Sequence, residues 1–225
     1  MNPVLRGSAA HVFVESLAAP QLSHDDDHHL RRVLRVRETD VITVGDGAGG
    51  WVEARLTANS VSVRSDPIFE PAPPRATVIS AIPKADRPEW IVQKVTEIGA
   101  TSIGFMECAR SVVRWDAERA NRQIERLRRV AREAAMQSRR LWLPQILDVV
   151  AFADAARTMN CAIADPEGSE LSADVDSVLI GPEGGFTEDE LAAVERRVSL
   201  AANVLRVETA ALTAAILLTQ RHESA

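Results

Sequence analysis

The chain has almost no lysine: Lys84 and Lys94 stand against twenty-four arginines in 225 residues. Genomic base composition can produce that ratio, so alone it decides nothing. Cysteine is as scarce. Cys108 and Cys161 have neither the CxxC nor the Cys/His spacing of a zinc site, and they offer no disulfide framework. Both read as small core residues. His28 and His29 lack partners at metal-ligand spacing, so no metal is expected. The longest apolar stretch, Ala210 to Leu218, is too short to span a bilayer. The first fourteen residues show no apolar segment followed by a small-residue cleavage site, which points to the cytoplasm. No G-x-G-x-x-G and no Gly-Lys-Ser occurs, which leaves a dinucleotide fingerprint and a P-loop without support. Internal repeats are missing too.

What is present is uneven charge. A net charge of -6 counts against a phosphate-rich partner, but its distribution matters more than its sum. From Arg110 to Arg140 there are ten arginines against Asp116, Glu118, Glu125 and Glu133, whereas Asp165 to Glu195 holds ten acids and no base. The chain therefore carries one basic and one acidic stretch.

Hydrophobic patterning changes along the chain. Between His11 and Ser65, Val52, Ala54 and Leu56, then Val61 and Val63, alternate with a period of two, as half-buried strands do. Gly45-Asp-Gly-Ala-Gly-Gly50 supplies a turn. These features predict a small β-barrel over residues 1–70, with Pro67, Pro71, Pro73 and Pro74 marking a linker. Residues 75–225 instead alternate strands (76–82, 102–106, 161–164, 177–180) with helices, which predicts an α/β domain with a mainly parallel sheet. One helix is expected from Arg87 or Pro88 to Gly99, another from an Asp116 N-cap to about Arg140, with Ala120, Ile124, Leu127, Ala131 and Ala134 on one face. Thr187 and Glu190 form a T-x-x-E capping box, with Phe186 and Leu191 at the staple positions. The last helix, about Thr209 to Gln220, has no charged residue and is expected to be buried in the core or against another subunit.

Two loops stand out. Strand 177–180 runs into Gly181-Pro-Glu-Gly-Gly185, where glycine permits close backbone approach at the carboxyl end of a parallel strand, the place where open α/β sheets bind ligands. A tight strand-to-helix turn explains that loop equally well by itself. The segment Val204-Leu-Arg-Val-Glu-Thr-Ala210 precedes the apolar helix, so Arg206 and Glu208 are candidates for a paired charge or a ligand contact.

Leu179-Ile-Gly-Pro-Glu-Gly-Gly-Phe186, Leu205-Arg-Val-Glu-Thr-Ala210, Glu133-Ala-Ala-Met-Gln-Ser-Arg-Arg140, Ala109-Arg-Ser-Val-Val113 and His29-Leu-Arg-Arg-Val-Leu-Arg35 together resemble the RsmE family, the bacterial 16S ribosomal RNA uridine-N3 methyltransferases of the SPOUT class. The resemblance runs in order over nearly the whole chain. It implies a PUA-like N-terminal barrel for RNA, a C-terminal domain tied in a trefoil knot, a homodimer and S-adenosylmethionine as methyl donor. By that resemblance Ile180, Gly181, Pro182, Glu183, Gly184 and Gly185 line one donor loop, and Leu200, Leu205, Arg206, Glu208, Thr209 and Ala210 the other. RNA would be met by Arg31, Arg32, Arg35, Lys84, Lys94, Arg110, Gln137, Ser138, Arg139 and Arg140. Arg206 is the candidate for stabilising a uridine anion and Glu183 the candidate proton acceptor. The chain departs from the family at Leu200-Ala-Ala-Asn203, where Leu-Gly-Pro-Arg is usual, and at Val207, where threonine is usual. Both changes bear on donor affinity. The same loops would serve a SPOUT enzyme acting on another RNA base, or a non-catalytic RNA-binding protein whose donor loop has decayed.

Overall fold

A computed structural model describes residues 2–58 and 60–220. Two compact units emerge: the chain up to Pro73 together with Arg132–Leu143, and Pro74–Ala131 together with the chain from Pro144 onward.

The first unit contains α1 (Pro3–Gly7), β1 (His11–Phe13), α2 (His24–His28) running into a π-helical turn (His29–Val33), and the strands β2 (Ile42–Gly45), β3 (Gly50–Leu56), β4 (Val61–Val63) and β5 (Ile68–Phe69). The strands form one small sheet, in the order β1-β2-β3-β4 with β5 also on β3; β1 and β2 are parallel and the other pairs antiparallel. The expected alternation is visible in β3, where Val52, Ala54 and Leu56 are buried between half-exposed Glu53 and Arg55. Asp46 Oδ1 accepts the N–H groups of Ala48 and Gly50 and closes the β2–β3 turn. The proline-marked linker starts later than its first proline suggests, because Ile68 and Phe69 pair with Trp51 and Gly50. A two-residue strand is too short to show a period.

Helix α2 lay outside the sequence expectation, since His-Asp-Asp-Asp-His has no apolar repeat; it starts because the Ser23 hydroxyl accepts the Asp26 N–H. Asp26 is also the anchor for Arg132. Both guanidinium Nη atoms donate to its carboxylate, at 2.8 and 3.0 Å, and Nη2 donates to the Phe13 carbonyl. Burial by itself would raise the Asp26 carboxyl, but hydrogen bonds from Arg132 and Ser23, with the Arg132 charge, outweigh it and hold the group below the usual carboxylate range. Buried His11 is pushed down to about 4 by desolvation, with the nearby Arg139 charge adding to the effect, so its imidazole is neutral at pH 7.

The second unit runs β6 (Thr77–Ala81), α3 (Arg87–Ile98), β7 (Ser102–Glu107), α4 (Ala117–Gln137, its last six residues belonging to the first unit), β8 (Gln145–Ile146), β9 (Val150–Ala151), α5 (Phe152–Ala155), β10 (Cys161–Ser169), β11 (Ser177–Ile180), α6 (Glu188–Ala192), β12 (Arg197–Val198) and α7 (Val207–Gln220). Its sheet is all parallel, in the order β12-β10-β11-β6-β7-β8 with β9 also on β7. Every residue of β6 and β11 is buried, as expected of central strands covered on both faces. The two-residue period then sends alternate side chains to different cores. Val78, Ile103, Phe105, Val178 and Ile180 join α3, α4 and α7 on one side. Ile79, Met106, Ile163 and Leu179 join α5 and Phe186 on the other.

Helix signals hold locally. Gly99, at φ +119°, ends α3, where its left-handed backbone costs a glycine little. Asp116 Oδ1 accepts the Arg119 N–H at the start of α4. That helix stops three residues before the expected Arg140, because the chain turns at Arg139 with φ +58°. Helix α7 is buried along Val207, Ala210, Ala211, Ala214, Ala215 and Leu218, leaving Leu212, Ile216 and Leu217 half-buried. Among the described residues no helix is long and apolar enough to cross a membrane.

Candidate functional site

Strand order decides where a ligand can sit. From β6 the chain moves to β7 on one side, and later returns on the other side through β10 and β11, so β6 and β11 are neighbours whose outgoing connections diverge. In open parallel sheets such a switch point leaves a crevice beyond the carboxyl ends of the strands. A cavity of about 500 Å³ lies there, within the range of pockets that enclose small molecules.

Three segments make its wall: Ala164–Pro166 on β10, residues 180–186 after β11, and residues 200–207 leading into α7. Of the residues expected at the donor, Ile180, Gly181, Pro182, Glu183, Gly185, Leu200, Leu205, Arg206 and Ala210 line the cavity, while Gly184, Glu208 and Thr209 are not on its wall. The sequence reading missed Ala164, Asp165, Pro166 and Leu191. Asp165 directly follows the strand expected at 161–164, which was the available signal; it sits in the middle of β10, past the residues that pair with β11. Its side chain is 11% exposed, lies 3.5 Å from Arg197 and accepts the Glu167 N–H.

The glycines are required by geometry at two positions. A Cβ on Gly181 would lie 2.9 Å from the Phe186 ring, so the loop can press on that ring only without a side chain. Gly185 has φ +69°, a backbone that L residues adopt at a cost of about 1–2 kcal/mol.

The loop is then clamped from outside. Arg110 Nη1 donates to the carbonyls of Gly184 and Phe186, at 3.0 and 3.1 Å. Glu190 closes the capping box by accepting the Thr187 N–H through Oε2, while its Oε1 accepts the Ala109 N–H at 2.8 Å. One carboxylate thus ties the Ala109–Val113 segment to the loop. The ring of Phe186 packs on Phe152, with centroids 5.5 Å apart.

Arg206 and Glu208, each a candidate for a paired charge or a ligand contact, do not pair with each other among the described contacts. Glu208 faces Arg87 instead, with 3.6 Å between Oε1 and Nε, and the same guanidinium stands 3.9 Å from Glu183. Arg87, at the start of α3, therefore bridges a carboxylate from each of the two loops. Nothing near Arg87 in sequence announces partners 96 and 121 positions away. Arg206 is exposed on the cavity wall, with no carboxylate partner among the described residues. Both cysteines are buried, and desolvation, helped by the Glu190 charge, pushes the Cys108 thiol up to about 12.

The residues expected to meet RNA are divided between the two units. In the first, Arg31 is held by Asp27 and donates to the Thr57 carbonyl, Arg32 and Arg35 are exposed, and Arg35 has φ +55°. Gln137 is exposed, Ser138 donates to the Ala134 carbonyl, Arg139 donates to the Ser8 carbonyl, and burial lowers Arg140 to about 10. In the second, Lys94 is paired with Glu97, Lys84 is exposed and Arg110 serves the loop.

Residues 70–219 match the model of an RNA methyltransferase domain, and residues 24–64 that of an RNA methyltransferase PUA domain. The chain is 31% identical to ribosomal RNA small subunit methyltransferase E of Bacillus subtilis, over 89% of this chain and 90% of that protein. It belongs to that family of RNA methyltransferases. The family's architecture recurs in solved structures. Ribosomal RNA small subunit methyltransferase E of Neisseria gonorrhoeae, bound to S-adenosyl methionine, aligns with a TM-score of 0.78 at 24% identity, covering 94% of this chain and 97% of that one. A Legionella pneumophila structure described as a methyltransferase in complex with the cofactor SAM aligns with a TM-score of 0.77 at 25% identity, with the same coverage.

Proposed function

We propose that this enzyme methylates N3 of a uridine in 16S ribosomal RNA, with the cavity between the two loops holding S-adenosylmethionine. The observation that carries the reading is the convergence of both family loops on one cavity at the switch point of the sheet. The residues present fit the donor. Ile180, Leu205, Val207 and Ala210 offer an apolar slot, while Asp165 and Glu183 place carboxylates on the same wall. S-adenosylmethionine brings a methyl group already activated on a sulfonium, and it carries a net positive charge that suits an acidic wall.

The protein's part is positioning, charge and proton management. N3 of uracil must lose a proton as the methyl group arrives. Arg206, exposed on the wall and free of a carboxylate partner among the described residues, stabilises the uridine anion; Glu183, on the opposite loop, accepts the proton. Arg87 keeps the two loops in register through Glu183 and Glu208. The half-buried apolar residues Leu212, Ile216 and Leu217 on α7 favour a homodimer through this helix. The C-terminal segment, by family, threads the knot.

The test is incubation of unmethylated small ribosomal subunits with labelled S-adenosylmethionine, followed by mapping of the labelled base. Label at N3 of one uridine is the expected result. A different base assigns another SPOUT activity, and no donor binding by calorimetry identifies a decayed loop. Arg206→Ala should abolish most transfer while donor binding persists, and normal transfer by that variant removes Arg206 from the chemistry. Sedimentation at working concentration should show a dimer.

A further inference from the structure

The donor cavity occupies the β11 side of the switch point. On the β6 side a second cavity, of about 360 Å³, opens among the β6–α3 connection, the first turn of α3 and the start of α4. None of its lining residues lines the donor cavity.

Its charge is specific. Arg126 is neutralised by Glu89 at 2.8 Å. Lys84 and Arg119, both exposed on the rim, have no carboxylate within ion-pair distance among the described residues. Asp86 shares the wall, so the cavity as a whole is positive by one charge. Its floor is apolar, made by Pro83, Val113 and Trp115, whose indole rests against Phe105 at 6.0 Å.

Its position is equally specific. Asp86 and Pro88 line this cavity, whereas Arg87 between them reaches Glu183 and Glu208 at the donor loops. One short turn therefore forms a partition with the donor site on its far side. That turn is strained: Ala85 has φ +60°, a conformation that costs an L residue about 1–2 kcal/mol and persists only where surrounding structure imposes it.

We infer that this second cavity is an RNA-anchoring subsite, in which Lys84 and Arg119 hold phosphate oxygens of the single-stranded RNA flanking the target nucleotide, whose base reaches Arg206 and Glu183 in the donor cavity. A lysine point charge and an arginine fork both suit phosphate, and a strand held here by its phosphates has its next nucleotide one short turn, Asp86 to Pro88, from Glu183 on the donor wall. The inference rests on the methyltransferase reading above.

The experiment compares wild type with the double variant Lys84→Gln/Arg119→Gln and with Lys84→Arg. Three quantities are measured: KM for unmethylated small subunits, salt dependence of binding to a single-stranded RNA oligonucleotide carrying the mapped target sequence, and calorimetric affinity for S-adenosylmethionine. Each single-strand phosphate contact contributes about 0.7 to the slope of log K against log salt, so the double variant should flatten it by about 1.4. Its KM should rise about tenfold or more with donor affinity unchanged, and Lys84→Arg should stay near wild type. A wild-type enzyme that methylates while the double variant matches it in KM and slope overturns the subsite alone. Equal loss of donor affinity overturns it too, as does loss on particles with unchanged oligonucleotide binding, which would assign the cavity to a ribosomal protein. A wild-type chain that methylates nothing overturns the methyltransferase reading, and the subsite falls with it.

Discussion

The two loops around the proposed donor cavity are built to different standards. The first, residues 181–187, is held at both ends and in the middle: Arg110 grips two of its carbonyls, Glu190 caps its exit, and the Phe186 ring is buried against Phe152. The second, residues 199–206, is anchored at its ends, where the Ser199 N–H donates to the Ser169 carbonyl and the Arg206 carbonyl accepts the Ala210 N–H. Between them Ala201, Ala202, Asn203 and Val204 are exposed, Val204 at 86%. Segments with few buried contacts open at low free-energy cost. We propose that the donor meets the first wall already formed and completes the second. Binding to a preformed wall costs little ordering entropy, and binding to the open one costs more.

The comparison breaks most readily at Gly181. Gly181→Ala drives a methyl group against the Phe186 ring; overpacking of this kind costs about 1–3 kcal/mol, so calorimetry should show donor affinity weakened about tenfold or more. Unchanged affinity would mean that the first loop yields as easily as the second. Glu190→Ala comes next. It removes the capping box and the acceptor for the Ala109 N–H, and the expected loss is about 1–2 kcal/mol in urea unfolding. Glu190→Gln keeps one acceptor oxygen and should lose less. Equal losses would show that charge rather than hydrogen bonding carries the clamp.

The same division explains what the sequence made legible. The T-x-x-E box at Thr187 and Glu190 is local, as are the Asp116 cap and the glycine end of α3, and each is found where its spacing puts it. The alternation of β3 and the apolar runs of β6, β7, β10 and β11 revealed a small sheet followed by a parallel one, because burial acts on neighbouring residues with a fixed period. Long-range partners leave no such trace. Glu190 reaches Ala109 across 81 positions and Arg132 reaches Asp26 across 106, which is how Arg132–Leu143 comes to pack with the first unit. Glu208 finds its charge partner in Arg87, 121 positions away. The strands β8, β9 and β12, two residues each, are fixed by neighbouring strands rather than by their own composition. Family motifs located most of this cavity's wall, but not Asp165, which lies in none of them.

Smaller effects sharpen the contrast. Arg110→Ala removes two charge-assisted bonds to the first loop, but the side chain is exposed and its neighbours remain. Donor affinity should weaken roughly three- to tenfold, at about 0.5–1.5 kcal/mol, with little change in unfolding. If stability falls as well, the loop supports the domain and is more than a binding wall.

The smallest effect tests the open loop. Ala201 stands where resembling chains usually carry glycine, and it is exposed. If the donor orders this segment, Ala201→Gly gives the free loop more conformations to lose, a cost of about 0.4–1 kcal/mol. The donor Kd should then rise roughly two- to fivefold, while urea unfolding stays within about 0.5 kcal/mol of wild type. Tighter binding by Ala201→Gly would reverse the argument: alanine would be resisting a left-handed conformation that the bound loop requires, and the second wall would be strained by its side chain rather than loosened by exposure.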